Sequence, residues 1–231
     1  MNEVLRNEKK FLIGISEIKR KDYELCQLLH EDPHNGPDGY LIRSLYFDTE
    51  YDGDFFDKEY GMEVRRKLRL RLYDPGSQTA ALEMKQKQGE QQRKRSLRMR
   101  REDAERLIAC DYSPLLRYPE PFAAECYALM NTRCYRPKTI VQYRRKAYIA
   151  KENRIRVTFD HQIDATACCF DLFSPKLLLN PVMDRSLAVL EVKYNGFLLD
   201  YIQEMLNGID KSEISASKYC MARQITYYPN L

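Results

Sequence analysis

In the stretch Lys67-Leu68-Arg69-Leu70-Arg71-Leu72-Tyr73 leucines and cations alternate without a break up to the final tyrosine. An extended chain turns successive side chains to opposite faces, so Leu68, Leu70 and Leu72 fall on one side and Lys67, Arg69 and Arg71 on the other. An ordinary half-buried strand mixes charge signs on its polar face, because like charges along one face repel. No acid interrupts these cations. Taken alone, the stretch reads as a solvated basic strand; recurrence argues otherwise. Glu83, Lys85 and Lys87 alternate with Leu82, Met84 and Gln86, Arg154 and Arg156 with Ile155, Val157 and Phe159, and Glu191 and Lys193 with Leu190, Val192 and Tyr194. Four segments thus pair an apolar face with a charged one, and strands sharing a sheet bring such faces together.

The chain of 231 residues can bury a substantial core and reads as a single domain over residues 1–231. Its 38 Lys and Arg against 34 Asp and Glu leave a net charge of only +4, unlike a polycation that coats nucleic acid. The positive charge is local, so its target should be local too. Seven scattered cysteines with no C-x-x-C pair argue against a disulfide framework or a zinc site, and point to a reducing cytoplasm. No stretch approaches the roughly 20 apolar residues of a transmembrane helix, so no membrane segment is expected.

Strands are predicted near residues 6–11, 40–48, 62–73, 80–88, 93–100, 138–149, 154–160, 165–172 and 187–194. Helices are predicted from a Ser16 cap to about His30, over 101–131 with a break at Pro119 and Pro121, near 198–206, and from Ser215 to about Gln224. This pattern predicts an α+β fold: a closed antiparallel β-barrel of about eight strands forming a basic tunnel, with flanking helices. A narrow barrel filled with unpaired Arg and Lys costs several kcal/mol per ion, so the interior must also hold carboxylates, water or an anionic ligand. A linear polyanion meets that need.

Several motifs resemble the triphosphate tunnel metalloenzymes, and within them the catalytic domain of the vacuolar transporter chaperone (VTC) type polyphosphate polymerases. Arg6-Asn7-Glu8-Lys9-Lys10 is similar to the family's N-terminal Glu-x-Glu-x-Lys strand, with Arg6 in place of the first acid as in the polymerase branch. Arg69 and Arg71 resemble its paired tunnel arginines, and Glu83-Met84-Lys85 its Glu-x-Lys strand. Lys94 lines up with a tunnel lysine, and Tyr143-Arg144-Arg145-Lys146-Ala147-Tyr148 with a Tyr-x-Arg-x-Ala-aromatic strand that places Arg145 in the tunnel. Arg154 and Arg156 follow, Arg156 matching better. Glu191 in Leu190-Glu191-Val192-Lys193 resembles the metal-binding glutamate, and Ser217-Lys218 the C-terminal Ser-Lys pair.

The resemblance implies an enzyme, a metal-dependent phosphotransferase that moves the terminal phosphate of ATP or another nucleoside triphosphate to a growing polyphosphate chain. Lys10, Arg69, Arg71, Lys85, Arg145, Arg156 and Lys218 are the expected catalytic cations, and Lys94, Arg154, Lys193 and Ser217 join them in binding phosphate. Glu191 and Glu83 are the expected ligands of Mn²⁺ or Mg²⁺, although Glu83 equally suits an ion pair with a facing cation. Such chemistry needs charge neutralisation and alignment, which Arg forks, Lys ammoniums and a hard cation supply. Two alternatives share the tunnel: a metal-dependent triphosphatase, disfavoured by the acid lost at Arg6, and a non-catalytic polyphosphate-binding module, disfavoured by the presence of Glu191. Nucleic acid is not an expected partner, because no aromatics interleave with the basic faces. His30, His34 and His161 have no metal-site spacing, and Asp48 reads as structural.

Overall fold

Leu68, Leu70 and Leu72 are buried, as period-two alternation requires. The computed structural model describes residues 6–89, 91–215 and 217–227, with only the backbone of Arg6, Thr226 and Tyr227. In chain order the elements are β1 (Arg6–Gly14), α1 (Ile15–Leu28), β2 (His30–Glu31), β3 (Tyr40–Asp48), α2 (Gly53–Glu59), β4 (Val64–Leu72), β5 (Thr79–Gln88) and β6 (Gln91–Arg100). They continue with α3 (Arg101–Ile108), α4 (Pro121–Thr132), β7 (Arg136–Ile149), β8 (Arg156–Thr166), β9 (Asn180–Pro181), β10 (Leu187–Asn195), α5 (Asp200–Asn207), β11 (Lys211–Glu213) and α6 (Lys218–Tyr227). The result is a mixed helix and strand fold with a large antiparallel sheet and, among the described residues, six α-helices.

The chain divides into two compact units, each drawn from three separate segments. The first comprises Met1–Leu41, Tyr143–Ile163 and Met183–Ser217, the second Ile42–Gln142, Asp164–Val182 and Lys218–Leu231. Strand β7 contributes residues to both.

In the second unit the strand order is β7-β3-β4-β5-β6. Asp74-Pro75-Gly76 turns β4 into β5: the Asp74 carboxylate accepts the Gly76 N–H at 2.9 Å, and its carbonyl accepts that of Ser77 at 3.0 Å. The resulting register puts Leu70 opposite Leu82 and Leu82 opposite Leu97, while Arg69 faces Glu83 and Glu83 faces Ser96. The leucine face is covered by Ala104 and Leu107 of α3, Leu115 of a 3-10 turn, and Phe122, Cys126 and Met130 of α4. Each leucine buried this way contributes about 1.5–3 kcal/mol, so the apolar face alone fixes which way the cations point.

In the first unit the order is β11-β1-β10-β8-β7. Lys10 lies opposite Glu191 and Glu191 opposite Thr158; two residues along, Glu8 lies opposite Lys193 and Lys193 opposite Arg156. On the other face Ile13, Leu190, Val157 and Phe159 pack with Ile18 and Leu25 of α1 and Ile202 and Leu206 of α5. Gly39, at φ +77°, passes so close to β7 that an added Cβ would stand 2.2 Å from the Arg145 carbonyl oxygen.

Several expected boundaries move. β1 runs on to Gly14, so Ser16 lies inside α1 and caps nothing. β8 starts at Arg156; Arg154 sits before it in a 3-10 turn at φ +47°, exposed and outside the strand parity expected of it. The strand expected over 165–172 is absent, because β8 ends at Thr166 and Asp171 makes a turn that accepts the N–H groups of Phe173 and Ser174. Helix α2 was not anticipated. It forms because the Asp48 carboxylate accepts the Asp54 and Phe55 N–H groups at 2.8 and 2.9 Å, satisfying the first turn from outside the helix.

Candidate functional site

Within the second unit, the polar face of β3, β4, β5 and β6 gathers cations around one buried carboxylate. Glu83 accepts Arg69 Nε and Nη2 at 2.9 and 2.7 Å on one oxygen, which also lies 3.7 Å from Arg71 Nη1; Lys94 Nζ meets the other oxygen at 2.5 Å. Burial alone would raise the Glu83 pKa, but Arg69, Arg71 and Lys94 outweigh it and hold it at about 2. Arg69 also donates to the Tyr46 hydroxyl at 3.0 Å, and Arg71 Nε to Ser44 Oγ at 3.1 Å. Beyond Glu83, Lys85 stands between Lys67 on β4 and Lys94 on β6, directly opposite each. This row adds to the cations on the same face, with Lys94 already paired to Glu83.

The first unit builds a different cluster from β1, β10, β8 and β7. Buried Glu191 lies 3.0 Å from Lys193 Nζ, 3.4 Å from Arg145 Nη2 and 3.9 Å from Lys10 Nζ. Glu8 pairs with Lys10 and lies 4.0 Å from Lys193, so Glu8 and Glu191 share both lysines. Arg145 is held in a fork by fully buried Asp160, with contacts of 2.6 and 2.7 Å. Arg156 donates to Asp32 at 2.7 Å and to the Tyr40 hydroxyl at 2.9 Å. Burial pulls the Lys193 pKa down to about 8, Arg145 adding to the effect and Glu191 and Glu8 opposing it. Arg145 is buried too, yet Asp160 and Glu191 keep its pKa well above the usual value.

Four cations therefore meet four carboxylates in the first unit, whereas among the described residues Glu83 is the one acid in the rows that pair β4, β5 and β6. Both oxygens of Glu83 are engaged by cations, which favours its ion-pair reading. Glu191 and Glu8 together offer hard carboxylate oxygens suited to Mg²⁺ or Mn²⁺, with lysines that can swing to phosphate instead. Another trio of possible ligands, Asp22, Cys26 and Glu31, is already engaged: Asp22 holds Lys146 and Tyr148, and Cys26 donates to Glu31 with its thiol pushed up to about 11 by burial.

Arg154 is exposed on its turn, Ser217 precedes α6, and half-buried Lys218 is the first residue of that helix. Asp48, buried and bonded to α2 and to the Tyr219 hydroxyl at 2.6 Å, is structural. Asp160 was not among the expected residues, although it shares parity with Arg156 and Thr158. Asp32, Tyr40, Ser44 and Tyr46 were not among them either, and of these the loop residue Asp32 has no periodic signal.

Comparison with known families places the chain. It matches the family described as VTC domain over residues 5–227, and so belongs to the VTC domain family. Among solved structures it is similar to a Bacillus halodurans protein described provisionally as an adenylate cyclase, at 14% identity and a TM-score of 0.54, with 99% of each chain covered. That likeness concerns the fold. A Pyrococcus horikoshii protein aligns more loosely, at 12% identity and a TM-score of 0.46 over 94% of this chain and 99% of its own. No curated protein matches the sequence.

Proposed function

We propose that the chain is the catalytic domain of a polyphosphate polymerase, transferring the terminal phosphate of ATP to a growing polyphosphate chain inside a closed basic barrel. The observation that carries this reading is the gathering of Lys67, Arg69, Arg71, Lys85 and Lys94 on one face of three adjacent strands around Glu83, an arrangement able to grip an anion with several charges. Phosphoryl transfer asks the protein for alignment and charge stabilisation, and these cations supply both.

In this reading Arg69 and Arg71, preset by Glu83, Tyr46 and Ser44, fork onto phosphate oxygens, while Lys85 and Lys94 follow the charge as it moves. Arg145, fixed by Asp160, and Arg156, fixed by Asp32 and Tyr40, keep the triphosphate in line. Glu191 with Glu8 would hold a divalent ion, which when bound offsets phosphate charge. Lys10, Lys193, Arg154, Ser217 and Lys218 complete the phosphate contacts. The protein works without a covalent nucleophile, and the acceptor phosphate attacks directly.

Glu191→Gln tests the division of labour. The variant should keep affinity for polyphosphate within about threefold while losing at least about a hundredfold in chain synthesis. Unchanged synthesis in a folded variant would contradict the assignment.

A further inference from the structure

Outside the Glu83 cluster, the second unit contains a cavity of about 530 Å³ where the end of β6 meets the start of α3. Arg98, Arg100 and Arg117 line it together with Thr79, Glu102 and Asp103. The arginines are not equally committed. Arg117 is paired with Asp103, which also accepts the Tyr118 hydroxyl at 2.6 Å. Arg98 makes one bond, Nε to Thr79 Oγ1 at 3.2 Å, and Arg100 uses only its backbone N–H, donated to the Tyr118 hydroxyl at 3.2 Å. Both of these guanidinium groups are on exposed residues and keep donors for a ligand. Glu102 and Asp103 stand in the first turn of α3, so the arginine side chains and not the helix N-terminus would hold an anion here.

Position ties the cavity to the cationic face. Lys94, Ser96, Arg98 and Arg100 share one side of β6 by strand parity, and Lys94 is already bonded to Glu83. Arg98 lies opposite Ala81, which lies opposite Arg71, so the Arg98 backbone is two strand spacings, about 10 Å, from that of Arg71. Tyr118 is the aromatic of the lining; it is half-buried, and its hydroxyl is engaged by both Asp103 and Arg100.

From this we infer that the Arg98–Arg100–Arg117 cavity is a second phosphate site that takes the portion of a linear polyphosphate extending beyond the Arg69–Arg71–Glu83 cluster. The inference rests on the polyphosphate reading of that cluster and adds a length-dependent subsite. Short ligands are held by the cluster alone, whereas long chains also engage the cavity, where Glu102 opposes them.

Binding of tripolyphosphate and of long-chain polyphosphate to the full chain, compared at one salt concentration, tests this. Arg98→Gln/Arg100→Gln should lose about tenfold in affinity for the long chain and less than about twofold for tripolyphosphate, and Glu102→Gln should gain affinity for the long chain alone. Unchanged long-chain affinity in the double variant, with tripolyphosphate still bound, overturns the cavity and leaves the cluster standing. An equal loss for both ligands, or tighter binding of single-stranded DNA than of polyphosphate, also overturns it. A wild-type chain that binds neither phosphate ligand overturns the functional reading and the cavity together.

Discussion

Under the proposed function, Lys193 is a side chain set for an anion that comes and goes. Its pKa lies near 8 against 10.5 for an ordinary lysine, because burial penalises the charged ammonium more than Glu191 and Glu8 reward it. Between those values the folded chain binds fewer protons than the unfolded one, so this residue's contribution to stability rises with pH across that window. Below about pH 8 the charge is carried at a cost that a bound phosphate relieves. Binding of tripolyphosphate near pH 8.5 should therefore draw in a proton, seen as a dependence of calorimetric enthalpy on buffer ionisation heat. Lys193→Met should abolish that dependence; its persistence in the variant would assign the proton to another group.

At the scale of elements, β4 and β5 have exchanged the usual roles of their faces, leucines lying beneath α3 and α4 and cations facing one another. Leu70→Ala should cost about 2–5 kcal/mol, because Leu70 is fully buried and helices on its far side cannot collapse into the gap. Lys85→Gln should leave stability within about 0.5 kcal/mol while weakening polyphosphate binding. Thermal unfolding of the two variants side by side, with polyphosphate binding to the second, checks both.

This exchange was readable in the alternation itself, since period-two spacing and burial depend only on residue order. The partners that fix the arginines were less readable. Asp160 lay on a legible parity, but Asp32 reaches Arg156 from a loop, and Asp48 makes α2 by a contact across six residues that no periodicity records. The strand expected at Arg154 fails for the same reason: alternation is uninformative where the chain turns at positive φ.

For the molecule as a whole, the two units make complementary contributions. One sets balanced carboxylates and cations around Glu191; the other sets a cationic face around Glu83. In the proposed polymerase the first would supply a carboxylate for a divalent ion and the second the grip on a phosphate chain. Turnover of ATP with Mn²⁺ or Mg²⁺, resolved by chain length on a gel, tests that most directly. A ladder of lengthening polyphosphate is the predicted result, and orthophosphate alone would contradict it.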